Sequence, residues 1–399
     1  MRPLALLVAL LAVPALAQDV PPRGTPATFD VASWNIEHFG GSSGPSNDPL
    51  QIQNAEEVLR DADVDLWALQ EVKLGAQGFA DFIGSLSDQG LEGRLGPSVS
   101  GNPFFDQRLA FVYDPEIVEV IFTRTVPQSF LSPSNFAGRQ PFEMKANIRL
   151  PGQEPFQIYA IALHAKCCSD QDSYDQRVAG ATQLKAYTDM LDQQGIDVIV
   201  LGDFNDRLNQ SITSGRLSPY RPFFTDGGTY QFATAGLDAS NTPTFCSNST
   251  CSSGTPIDHL MFTQGLFDRY VASSGDRYDE LLTSISGYTS TTSDHLPVLA
   301  QFESVLVSAE TVDAATFALR AAPSPFGAAT TLTMELPEAA AVRVELYDVL
   351  GRRVRVLSEG ARAAGPHRVQ IAGAGLAPGV YTVRLVAGER QATQRVVRR

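Results

Sequence analysis

The sequence is short of three things, and each shortage closes off a class of protein. Past residue 17 it has no apolar run near the roughly 20 residues that a membrane span requires. Cysteine occurs four times in 399 residues and never as Cys-x-x-Cys, which argues against a structural zinc site. Positive charge is scarce where most of the chain lies: residues 1–304 carry 18 Lys+Arg against 36 Asp+Glu, a net of −18. So acidic a body has no long-range attraction for a polyanion. A phosphate-bearing ligand would need bound cations or local arginines to offset the repulsion.

The one apolar run present, Leu4 to Leu16, follows Met1 and Arg2 and ends in Ala15-Leu16-Ala17. It reads as a signal peptide over residues 1–17, too short to span a bilayer. Export places the cysteines in an oxidising compartment. Cys246 and Cys251 in "FCSNSTC" are spaced to close a small loop. Cys167 and Cys168 are adjacent, and a bond between neighbours is strained, so cross-pairing with 246 and 251 stays open among the three connectivities.

Residues 305–399 reverse the charge balance, with 12 Lys+Arg against 8 Asp+Glu and a net of +4. Such asymmetry predicts two modules. In the first, residues 28–304, "TFDVASWNIE", "VDLWALQE", "LAFVYD", "FQIYAIALHA", "DVIVLGDFN" and "LPVLAQF" read as strands. Three helical stretches lie among them, "DPLQIQNAEEVLRDA", "AQGFADFIGSLSDQG" and "SYDQRVAGATQLKAYTDMLDQQG". The last is expected to bury Tyr174, Val178, Ala181, Leu184 and Leu191 and to stop at Gly195. An Ala/Thr-rich linker over 305–320 leads to residues 321–399, where short alternating stretches between Gly and Pro turns predict a small all-β sandwich.

Four strands of the first module end in chemistry. Side chains alternate faces along a strand. Asn35 and Glu37 therefore share a face with Phe29 and Val31, and Glu71 with Trp67 and Leu69. His164 shares one with Ile158, Ala160 and Ala162, and Asp203 and Asn205 with Ile199 and Leu201. Beyond them stand two Asp-His pairs, Asp258-His259 and Asp294-His295. Singly, such residues serve as caps, satisfied core amides or ion-pair partners; Glu71 has Lys73 close by. Several buried carboxylates on neighbouring strand ends repel one another unless a cation sits among them. Oxygen donors without cysteine suit magnesium or manganese, with calcium a further candidate. Histidines beside them can move protons near neutral pH. Together these groups describe metal-assisted phosphoester hydrolysis.

The ordered set "SWNIE", "LQEV", "ALH", "GDFND", "IDH" and "SDHLPV" resembles the endonuclease/exonuclease/phosphatase superfamily. The branch similar to pancreatic deoxyribonuclease matches best, through "IALHA" and "GRQP". The resemblance implies a four-layer α/β sandwich with two mixed β-sheets, followed here by the all-β domain. It implies a metal and phosphate site at Asn35, Glu71 and Asp294, with Glu37 nearby. Asp203 and Asn205 are implied to orient or activate water, and His164 and His295 to share acid/base and transition-state work. Asp258 would orient a histidine, and Arg139 would contact a phosphate oxygen. Whether Asp203 or His295 is the base stays open. The branch's acidic partner for His164 falls here at Asp106 or Gln107. In the second module "PSPF", "ELPEAAAVRVELYDVLGRRV" and "GLAPGVYTVRL" resemble the C-terminal sorting domain of type IX secretion, with Ser324 where Asn is usual.

These features lead us to expect a secreted or cell-surface phosphodiesterase of a Gram-negative, Bacteroidetes-like bacterium. Its expected partners are DNA, with RNA also open, and the type IX secretion machinery; it has no transmembrane span and acts as a monomer. The alternative is a sphingomyelinase or phospholipase C-like phosphoesterase, for which "FTRTVPQSFLSPSNF" (122–136) is the candidate apolar hairpin. "GRLSPYRPFFTDGGTYQF" (215–232) mixes Arg216 and Arg221 with five aromatics. It reads first as core and second as a nucleic-acid contact.

Overall fold

The computed structural model describes residues 20–98, 106–303, 317–348, 352–388 and 390–399. The expected signal peptide and most of the linker lie outside them. The chain forms two compact units, Met1–Leu306 and Val307–Arg399.

The first unit begins with β1 (Thr28–Asn35), α1 (Asp48–Asp61), β2 (Leu66–Val72), α2 (Ala76–Ser85), β3 (Glu92–Leu95) and β4 (Arg108–Tyr113). It continues with β5 (Val118–Thr125), β6 (Phe142–Ile148), β7 (Phe156–His164), α3 (Gln171–Gln193) and β8 (Asp197–Asp203). Then come α4 (Arg221–Phe224), β9 (Tyr230–Phe232), α5 (Ala235–Ser240), the small hairpin β10 (Phe245–Cys246) and β11 (Gly254–Thr255), and β12 (Asp258–Thr263). β13 (Asp276–Arg277), α6 (Leu281–Ser284), α7 (Tyr288–Thr291) and β14 (Val298–Glu303) complete it.

These strands build two six-stranded mixed sheets, ordered β13-β14-β1-β2-β4-β3 and β5-β6-β7-β8-β12-β9. Phe29, Val31, Leu66, Ala68 and Phe111 of the first pack against Ile158, Ala160, Ile199, Leu201 and Leu260 of the second. Period-2 alternation sends the other set outward. Trp34, Trp67, Leu69 and Val112 meet Val58 and Leu59 of α1 and Phe79 and Phe82 of α2. Ile161, Val198 and Val200 meet Ala181, Leu184, Tyr187 and Leu191 of α3. Helix, sheet, sheet and helix make the four layers that the resemblance implied.

The buried stripe of α3 differs from the expected one. It runs through Ser173, Arg177, Gly180, Ala181 and Leu184, leaving Tyr174 and Val178 at its flank. The reason is Arg177, which lies in the interior and gives Nε to Asp206 Oδ2 at 2.9 Å. A hydrophobic count cannot see a buried ion pair. In the segment 122–136, Val126, Leu131 and Phe136 pack in the outer core beside α3, while Phe130 stays exposed. Of the five aromatics in 215–232, Tyr220, Phe223, Tyr230 and Phe232 are core and Phe224 alone is exposed.

The second unit pairs a three-stranded antiparallel sheet with a four-stranded one. The first contains residues 318–322, 329–336 and 365–372; the second contains 353–362, 340–348, 379–387 and 390–398. Leu332, Met334, Val344, Leu346, Val383 and Leu385 fill the space between them. The first strand starts at Ala318, inside the expected linker, because Phe317 and Leu319 already pack into this core.

Candidate active site

The C-terminal ends of β1, β2, β7 and β8 and the start of β12 converge on one cleft of about 590 Å³. Two pairing registers bring its centre together. His164 lies opposite Asp203 across the parallel β7/β8 pair. Asp258 lies opposite Asp203 across the antiparallel β8/β12 pair. Gly202 makes this approach possible, since a Cβ there would stand 2.0 Å from the Leu163 carbonyl oxygen.

Asn35 is the hub on the first sheet. Its Nδ2 donates to Asp203 Oδ2 at 3.0 Å and to Glu71 Oε1 at 3.3 Å. Its Oδ1 accepts the Glu37 N–H at 3.1 Å, so the amide holds carboxylates in place with both ends engaged. Glu71 reaches this position against the alternation expected of it. Trp67 and Leu69 face the helices, but the β2/β4 register shifts between Leu69 and Val72 and Glu71 takes φ +61°. This bulge turns the carboxylate into the cleft, where Oε2 accepts the His38 N–H at 3.1 Å. Bulges re-aim side chains in this way.

Glu37 and Asp294 complete the acidic side. Glu37 Oε2 accepts the Asp294 N–H at 3.0 Å. Burial, with the charge of Asp294 behind it, pushes the Glu37 carboxyl up to about 7. Burial likewise raises Asp294, with Glu71 and Asp258 adding to it. Among the described residues neither Glu37 nor Asp294 has a Lys or Arg ion-pair partner. His295 Nε2 stands 3.8 Å from Asp294 Oδ1, but one imidazolium does not balance three mutually repelling carboxylates, so the donors fit a hard divalent cation.

The second sheet supplies the proton chemistry. His295 Nδ1 donates to Asp258 Oδ2 at 2.8 Å. The Tyr288 hydroxyl donates to the His295 carbonyl at 2.7 Å, and the Ser293 hydroxyl accepts its N–H at 3.0 Å. Burial works against a charge on His295, but Asp258, Asp203 and Asp294 outweigh it and hold its pKa well above the usual imidazole value. Asp203 Oδ1 accepts the Asn205 N–H at 2.8 Å. Burial and then Asp258 push Asp203 up to about 7. Ligand-type atoms of Asp203, Asp258 and His295 lie within 4.8 Å of one another. We read that trio as a proton-handling group rather than an ion cage, because His295 Nδ1 is already committed to Asp258.

His164 is fully buried, with Nε2 3.5 Å from Asp203 Oδ2 and 3.7 Å from Glu71 Oε1. Burial, reinforced by Arg139 and the other histidines, holds its pKa well below normal, so it is neutral. Its Nδ1 has no hydrogen-bond partner among the described residues. Neither expected partner pairs with it: Asp106 accepts from Arg108 Nε at 2.7 Å, and Gln107 Oε1 accepts from Arg139 Nη1 at 2.6 Å. Arg139 Nη2 donates to the Ala165 carbonyl at 2.7 Å. Asn205 Nδ2 donates to the same oxygen at 3.1 Å.

Of the eleven residues singled out for the site in the sequence, ten thus meet around the cleft and His259 does not. Two neighbours were overlooked. His38, at φ +52°, stands 3.2 Å from both Glu71 Oε2 and Gln107 Nε2. Its place directly after Glu37 was the available signal. Arg177 acts from behind, binding the backbone that follows His164. His259, by contrast, moves no protons here. It lies in the outer core between Thr234 Oγ1 and the Asp206 carbonyl, edge-on to Phe204, and burial lowers it to about 4. Cys246 is bonded to Cys251, so cross-pairing with Cys167 and Cys168 does not occur.

A four-layer sandwich with carboxylates and histidines at the strand ends defines a phosphoester hydrolase. Residues 32–295 match the model of the endonuclease/exonuclease/phosphatase family, and the chain belongs to that family. Residues 322–399 match the secretion system C-terminal sorting domain, a domain of secreted and cell-surface proteins. No curated protein matches the chain. Among solved structures it is similar to a family member from Bacteroides vulgatus, with 15% identity and a TM-score of 0.49 over 69% of this chain and 98% of that one. A Neisseria 3′ phosphatase bound to a product DNA hairpin gives the same identity and TM-score over 69% of this chain and 99% of that one. The human Nocturnin catalytic domain with bound sulfate gives 17% and 0.44 over 71% and 99%. Identities at this level carry no information on substrate.

Proposed function

We propose that this chain is an exported, divalent-metal-dependent phosphodiesterase that hydrolyses DNA outside a Bacteroidetes-like cell. The observation that carries this reading is the meeting of His295–Asp258, His164 and Arg139 with the Glu37, Glu71 and Asp294 carboxylates in one cleft. Glu37, Glu71 and Asp294 would hold the ion, with Asn35 fixing Glu71 and Asp203. When bound, the ion supplies charge neutralisation at the phosphate.

The remaining roles belong to the protein. Arg139, anchored through its Nη atoms, offers its remaining N–H groups to a phosphate oxygen. Asp203, held by Asn35 and the Asn205 N–H, takes the proton of the attacking water. The water oxygen bonds to phosphorus as the ester P–O bond breaks. His295, charged and oriented by Asp258, gives a proton to the departing oxygen, and neutral His164 donates to a non-bridging oxygen. The acidic surface is offset locally by the ion and by Arg139.

The test incubates the mature chain separately with supercoiled plasmid, RNA and sphingomyelin, in magnesium plus calcium or in EDTA. Metal-dependent nicking of the plasmid supports the reading. Cleavage of the lipid alone would overturn it in favour of the phospholipase-like alternative.

A further inference from the structure

Two cysteines at the rim of the cleft have no part in the chemistry above. Cys167 and Cys168 both line it, one half-buried and one exposed, with their Sγ atoms 2.8 Å apart. They follow Ala165, whose carbonyl carries both Arg139 and Asn205. Cys168 sits at φ +84°, a conformation that side-chain-bearing residues rarely adopt. That turn is imposed from below. Arg177 Nη1 donates to the Lys166 carbonyl at 2.9 Å and to the Cys168 carbonyl at 2.7 Å, while its Nε is tied to Asp206.

We propose that Cys167 and Cys168 are a vicinal disulfide site, closed in the exported protein, and that closure fixes the carbonyl on which Arg139 hangs. The fold has already brought the two sulfurs together, so closure requires little motion. The other cysteines cannot compete, because Cys246 and Cys251 are bonded to each other and buried. The oxidant is a low-molecular-weight disulfide or the oxidising machinery of the export route. An S–S bond forms between the neighbours, the external disulfide breaks, and it leaves as two thiols carrying the two protons and two electrons. Adjacent Cα atoms stand closer than disulfides prefer. The bond is therefore strained and solvent-accessible, and reduces more readily than Cys246–Cys251. Cys167 and Cys168 are positioning residues, acting on substrate through Ala165 and Arg139.

The test refolds the full mature chain in a glutathione redox buffer, alkylates it under denaturing conditions and maps its peptides by mass. The peptide with Cys167 and Cys168 is expected unalkylated and lighter by two hydrogens. After mild phosphine treatment it becomes doubly alkylated while Cys246–Cys251 stays closed. Alkylation of both thiols before reduction, or linkage of either to Cys246 or Cys251, would overturn the proposal. The activity arm rests on the phosphodiesterase reading. Mild reduction, and Cys167→Ser or Cys168→Ser without reductant, should raise KM severalfold with kcat little changed. An unchanged KM alongside a changed thiol state would remove the positioning role and leave the disulfide. Because peptide mass needs no turnover, failure of the disulfide and failure of the catalytic reading are separately visible.

Discussion

At the scale of single residues, the roles divide by what holds each side chain. His295→Ala is expected to lower kcat by about 10³-fold, within the range for a lost acid–base group. Asp258→Asn should cost about 10²-fold by releasing the ring, and the double variant should be no worse than His295→Ala, since the pair acts as a unit. Initial rates of metal-dependent ester cleavage check this; additive losses would separate the two roles. Several of these residues were readable because strand alternation predicts their face: Asn35, His164 and Asp203 all continue the inter-sheet set. Glu71 was placed on the wrong face, since only the bulge at φ +61° brings it in. A bulge leaves no mark in a hydrophobic pattern.

At the scale of elements, the parallel β7/β8 junction is the rigid seam of the site. Gly202→Ala forces a methyl group onto the Leu163 backbone. It is expected to cost of order 3 kcal/mol, since overpacking is poorly relieved between paired strands. Urea titration against the parent checks it, with an unchanged midpoint as the contrary result. Arg177→Leu strands Asp206 in the interior and should cost about 3–5 kcal/mol. Strands with strong apolar runs were legible, but β6 was not. It buries Glu143, which Tyr187 OH reaches at 2.6 Å and Arg124 also pairs. A charged residue inside a strand hides the strand, as Arg177 shifted the apparent face of α3.

At the scale of the whole molecule, stability should respond to pH through a group far from the chemistry. Asp65 is pushed up to about 8 by burial, with Asp30, Asp114 and Asp63 adding to it. Its folded pKa lies above the unfolded one, so between roughly 4 and 8 the native state binds the extra proton. The contribution of Asp65 is therefore greatest at low pH and is lost as pH rises through about 8. Asp65→Asn keeps an acceptor for the Asp30 N–H, now at 2.7 Å, and avoids this loss. Its melting temperature should overtake the parent's progressively from pH 5 to 9, and parallel curves would exclude the effect.

The site is also a long-range object. Asn35 meets Asp203 across 168 residues of chain, and Glu37 meets Asp294 across 257. Either sheet alone holds only part of the constellation, so no early folding intermediate built on local contacts can turn over substrate. Separations of this size slow the search for native contacts. In refolding, recovered turnover should lag recovered far-ultraviolet circular dichroism, timing the moment at which the two sheets close on each other.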